Sequence, residues 1–209
     1  MKNYFTLILL TLAAVANAQR LKTEDFNYNL GQLTDANGGA NVSGGNWISF
    51  SGNAKYMAVV SGNLTYPNYI TNAVNNASLL MDTTKGTAED AYTQFDSVET
   101  GTVYCSFLLN VNLAVTAIAH DSATKGDYFA GMFSTTTTSA YTARLFIRQG
   151  SAPNTYNLGL AAQSSKNTPI VWIATDYAVN TTNLVTLGYT FVDGDLNDIT
   201  KLWVNPPAT

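Results

Sequence analysis

Apolar and polar residues alternate along this chain with a period of two, most clearly over residues 184–206. Val185, Leu187, Tyr189 and Phe191 fall on one face of an extended segment, with Leu184, Thr186, Gly188 and Thr190 on the other. That alternation is the mark of a half-buried strand. A second run puts Ile199, Lys201 and Trp203 on one face and Thr200, Leu202 and Val204 on the other. Between the two lies Asp-Gly-Asp-Leu-Asn-Asp, residues 193–198, dense in turn formers. The pattern predicts a β-hairpin with an acidic tip, stopped by Pro206 and Pro207.

The same period recurs upstream. Residues 102–113 form the longest predicted strand, with Val103, Cys105, Phe107 and Leu109 on one face and Tyr104, Ser106 and Leu108 opposite. Shorter strands are predicted at 56–60, 78–81, 143–148, 156–162 and 170–174, punctuated by turns such as Ser51-Gly52-Asn53 and Ser61-Gly62-Asn63. Nowhere does an apolar stripe recur at helical spacing. Ten or more short strands separated by close turn signals imply an all-β sandwich or barrel. Leu202, Trp203 and Val204 are apolar on both faces, so a strand with neighbours on both sides, and Trp203 in the core, are expected.

Residues 1–18 have to be read apart from the fold. Lys2 precedes an apolar run over 5–16, and Ala16-Asn17-Ala18 forms an A-x-A site before Gln19. These are the parts of a secretory signal peptide. The run is too short for a spanning helix, which needs roughly 20 apolar residues. The expectation is a signal peptide over 1–18 and a single β-sandwich domain over 19–209, secreted and associated with the cell surface. Cys105 is the only cysteine, so stability must come from packing and sheet hydrogen bonds.

Charge narrows the partners. Only 11% of residues are charged, well under the ~25% of ordinary domains. The net charge is −4 with no basic run, so nucleic acid and anionic membranes are not expected partners. A surface of hydroxyls and amides suits extracellular glycans, and equally suits a passive structural module.

Five segments carry a family resemblance: Gly-Thr-Val-Tyr-Cys-Ser-Phe-Leu-Leu-Asn at 101–110, Gly-Asp-Tyr-Phe at 126–129, Tyr-Asn-Leu-Gly-Leu at 156–160, Leu-Trp-Val-Asn-Pro at 202–206 and Ser-Gly-Asn-Leu-Thr-Tyr-Pro at 61–67. Together, over residues 24–206, the chain resembles a family of secreted bacterial surface proteins of the Bacteroidota type. Its domains look like concanavalin A-like, laminin G-like jelly rolls. The resemblance implies an all-β, two-sheet antiparallel jelly-roll sandwich of the concanavalin A-like lectin and glucanase type, with loops along the rims. Domains of that kind continue past the Leu-Trp-Val-Asn-Pro strand, whereas this sequence stops at Thr209. The closing C-terminal strands are therefore expected to be missing, or supplied by another molecule through an open sheet edge. Asp82-Thr83-Thr84, Asp96-Ser97-Val98 and Asp121-Ser122-Ala123 resemble O-glycosylation sites of exported proteins from the same phylum.

Catalysis is not expected. Glucanases of this shape carry carboxylates at alternate positions of one strand, close enough to serve as acid and nucleophile. Here Glu24, Glu89 and Glu99 are the only glutamates and none stands in that pattern. Asn41-Val42-Ser43-Gly44-Gly45 lacks the form of a nucleophile elbow. His120 is the sole histidine, and Cys105 is expected to be a buried, inert thiol. Asp193, Asp195, Asn197 and Asp198 are candidate Ca²⁺ ligands, or else cap their own turn. For glycans, Tyr66, Asn68, Tyr69, Trp172 and Tyr177 are the candidate binding residues. Tyr66 and Tyr69 flank a Pro-Asn turn, where backbone belongs at the surface. The sequence thus leaves two expectations: a non-catalytic carbohydrate-binding or adhesive module at the bacterial cell surface, or a self-assembling building block of surface proteins or extracellular fibres. A glycan hydrolase is the minor alternative.

Overall fold

The computed structural model of the chain describes residues 19–52, 55–69, 77–81, 88–113, 119–120, 126–133, 141–163, 169–194 and 197–207. The predicted signal peptide and the segments at Asp82 and Asp121 lie outside the described residues. Five short strands come first: β1 (Gly31–Gln32), β2 (Ile48–Ser51), β3 (Ala58–Ser61), β4 (Ala77–Leu80) and β5 (Asp90–Tyr92). Seven longer ones follow: β6 (Thr102–Asn110), β7 (Asp127–Phe133), β8 (Tyr141–Gln149), β9 (Thr155–Gln163), β10 (Val171–Ala178), β11 (Thr182–Thr190) and β12 (Ile199–Val204). Among the described residues there is no α-helix, only a 3-10 turn at Ala36–Gly38.

The long strands build two antiparallel sheets, ordered β10-β9-β8-β7 and β12-β11-β6. The predicted hairpin is β11 and β12, paired from Val185↔Val204 to Thr190↔Ile199. On the other side of β11, Val103, Cys105 and Phe107 stand opposite Tyr189, Leu187 and Val185. Alternation therefore delivers one apolar face, which packs against Leu145, Tyr156, Leu158 and Leu160 of the four-stranded sheet. Each fully buried Leu or Val there contributes roughly 1.5–3 kcal/mol. A polar tie crosses the layers: the Asn183 amide donates to the buried Tyr156 hydroxyl at 2.9 Å. Asn205, in left-handed backbone at φ 52°, prolongs the β11–β12 ladder. Its Oδ1 accepts from Leu184 N, and its own N–H donates to the Leu184 carbonyl.

The N-terminal region forms a second, smaller arrangement. β1, β3 and β4 make one sheet and β2 pairs with β5. Leu33 and Val59 are its buried centre, with Phe26, Tyr28, Trp47 and Met57 packed around them.

Two expectations need correction. Among the described residues β12 is an edge strand bonded to β11 alone, and Trp203 is 37% exposed on the outward side. The period of two explains this: Leu202 and Val204 turn to the core, so Trp203 must turn away from it. Cys105 points the same way as Val103 and Phe107, yet it lies exposed on β6, the other edge of its sheet. Desolvation by the protein around it still raises the thiol pKa.

Candidate functional site

The outward face of the β12-β11-β6 sheet carries two exposed aromatic rings. Tyr104 on β6 is 64% exposed, and Trp203 on β12 lies beside it with ring centroids 6.2 Å apart and planes 42° apart. Gly188 of β11 sits between them, opposite Tyr104 on one side and Lys201 on the other. A Cβ at Gly188 would come within 3.0 Å of the Trp203 ring and 3.3 Å of Tyr104. The missing side chain therefore leaves the space that both rings approach beside the middle strand. Hydroxyl pairs frame them across the strands. Ser106 and Thr186 are hydrogen-bonded at 3.0 Å, Thr102 and Thr190 at 2.8 Å.

One part of the predicted glycan site reaches this sheet. The Tyr66–Tyr69 turn closes with a 3.1 Å bond from Tyr69 N to the Tyr66 carbonyl. Pro67 and Asn68, with Asn68 at φ 61°, are the residues such a turn requires. Tyr69 then donates its hydroxyl to the Ser106 carbonyl of β6 at 3.3 Å. Burial, and secondarily the Cys105 charge, raises the Tyr69 pKa, so the phenol stays a donor. Asn68 is exposed and Tyr66 half-buried. Trp172 and Tyr177 stand elsewhere, on the four-stranded sheet. The Arg148 guanidinium stacks 4.1 Å over the Trp172 ring. Tyr177 packs toward the core beside Tyr156, at 5.9 Å.

The acidic tip is engaged in closing its own loop. Asp198 accepts the Tyr189 hydroxyl and, at 2.8 Å, the Val192 N–H. Burial first, and then this bond, raises the Tyr189 pKa. Asn197 donates to the Asp193 carbonyl at 2.6 Å, and Asp195 lies outside the described residues. Among the described residues no three His, Cys, Asp or Glu side chains are grouped to hold a metal ion.

Two of the glutamates fasten the N-terminal region. Glu24 accepts from the Tyr28 hydroxyl at 2.8 Å, Trp47 Nε1 at 2.9 Å and Phe26 N at 2.8 Å. Glu89, only 4% exposed, accepts from Met57 N at 2.9 Å and from the Thr34 hydroxyl. Glu99 and His120 are exposed.

Tyr104, Gly188 and Lys201 were not among the sequence candidates, and Trp203 was assigned to the core. One signal was available: Tyr104 lies on the polar side of its strand beside Ser106, where an aromatic ring faces outward. That Gly188 and Trp203 stand beside it follows only from the register of three strands. No protein-family model, curated protein or solved structure matches the chain.

Proposed function

We propose that the chain is a non-catalytic, secreted module of the bacterial cell surface that binds glycans on the outward face of the β12-β11-β6 sheet. Its sandwich would then be a jelly roll of the concanavalin A-like type. The observation that carries this reading is the pair of exposed rings, Tyr104 and Trp203, side by side next to Gly188 and bordered by hydroxyls. Aromatic rings offer apolar faces with polar surroundings, the combination a pyranose presents in complement. An exposed aromatic patch rimmed by polar groups marks a binding surface.

A glycan array read beside urea unfolding tests it. Wild-type protein should bind saturably, and Trp203→Ala should weaken binding about tenfold, equivalent to about 1.4 kcal/mol. The same variant should keep a cooperative unfolding transition, with a loss of about 1 kcal/mol. A silent array, or a Trp203→Ala chain that no longer folds, would defeat the reading.

A second reading, a building block that assembles through its sheet edges, has one observation in its favour. A groove of about 360 Å³ opens between β12 and the β9–β10 side, lined by Leu160, Ala162, Val171, Ile173 and Leu202. β10 and β12 are sheet edges there, and a strand from a second copy added to β12 would cover those side chains. Concentration-dependent polymers on sizing, with a silent array, would favour it.

A further inference from the structure

We propose that the glycans favoured by the Tyr104–Trp203 face are anionic, pyranose chains bearing carboxylate or sulfate groups, with Lys201 as their counter-charge. This rests on the glycan-binding reading above. The three strands of the sheet, of nine, nine and six residues, contain a single charged side chain, and it is Lys201. No Asp or Glu occurs in any of them. The chain as a whole carries −4, so this face is a local exception to an acidic protein.

Placement gives that one charge its meaning. Lys201 is exposed, faces outward between Ile199 and Trp203, and pairs across β11 with Gly188, whose other neighbour is Tyr104. Lys201 therefore leaves β12 on the face that carries the two rings, in the register position beside Gly188. The carboxylates nearest in sequence lie in the loops at the strand ends, among them Asp193 and Asp198 between β11 and β12. Asp198 is turned onto Tyr189 and Val192, and Glu99 lies before β6. A sugar stacked on the rings would bring an equatorial carboxylate or sulfate toward Lys201, the one charged side chain of these three strands. Lysine on an edge strand also discourages strand pairing. Any charge does that, so reversing its sign separates the two roles.

The test compares oligouronates with their carboxyl-reduced counterparts, which keep the backbone and lose only the charge. At low salt the wild type should bind the uronate about two- to fivefold more tightly, the scale of an exposed ion pair. The preference should fade with added salt. Lys201→Gln should remove it and Lys201→Glu should invert it, both with unchanged unfolding. Equal binding of the two forms by the wild type, or a preference that survives Lys201→Gln, would overturn the inference and leave the glycan reading standing. Binding of neither form would overturn both.

Discussion

Among the described residues, eight buried ones of the long-stranded layers, among them Leu145, Leu158, Val185 and Leu187, form one continuous core, whereas the N-terminal region centres on two, Leu33 and Val59. The difference follows from strand length. Strands of nine residues such as β6, β8, β9 and β11 satisfy their backbone in ladders and present several inward side chains each. Strands of two to four residues, as in β1, β2 and β3, form shorter ladders and present fewer inward side chains each. There, Glu24 and Glu89 take up backbone N–H groups directly, and Thr34 both donates to Glu89 and accepts from Ala36 N. The lesson is that carboxylates in this chain do structural work where ladders are too short to do it.

The contrast can be broken first at the large core. Leu158→Ala removes a fully buried side chain from the middle of β9, a change that typically costs about 2–5 kcal/mol. Urea unfolding should show that loss across the whole sandwich, in one cooperative transition. A smaller cost would mean that the two layers can close over the void.

Glu89→Ala should act locally. It leaves Met57 N–H and the Thr34 hydroxyl without their acceptor, at a cost of about 1–3 kcal/mol. Hydrogen exchange should accelerate around residues 33–61 while the amides of β8 and β9 keep their protection. Equal acceleration in both regions would make the molecule one cooperative unit and dissolve the comparison.

The smallest effect concerns alkaline pH. Burial, then the bond to Glu24, pushes the Tyr28 pKa from 10.0 up to about 12. A pKa raised on folding means the folded state holds its proton longer. The corresponding stability is whole below pH 10.0 and drains away as pH rises through about 12. Tyr28→Phe should flatten that part of the urea-midpoint profile. Tyr156, also raised to about 12, mainly by burial, should keep the remainder in the large core. An unchanged profile in Tyr28→Phe would show that the N-terminal phenol is not coupled to folding.

Much of the fold could be read directly. The faces of β6, β11 and β12 follow from alternation alone, because side-chain direction along a strand is local. The Pro67-Asn68 turn followed from its residues for the same reason, as φ preference belongs to the residue itself. The acidic 193–198 stretch was legible as a turn, while the partners of Asp198, Tyr189 and Val192, needed the folded hairpin.

Trp203 marks the boundary between the two kinds of knowledge. Its sequence put it on the side away from Leu202 and Val204, and that placement holds. Whether that side meets a second layer or solvent depends on which sheets stack, a matter of contacts far apart in the chain. The same is true of Tyr104 and Gly188, 84 positions apart in number and adjacent in register. Periodicity fixes which way a residue points; only tertiary packing decides what, if anything, it meets there.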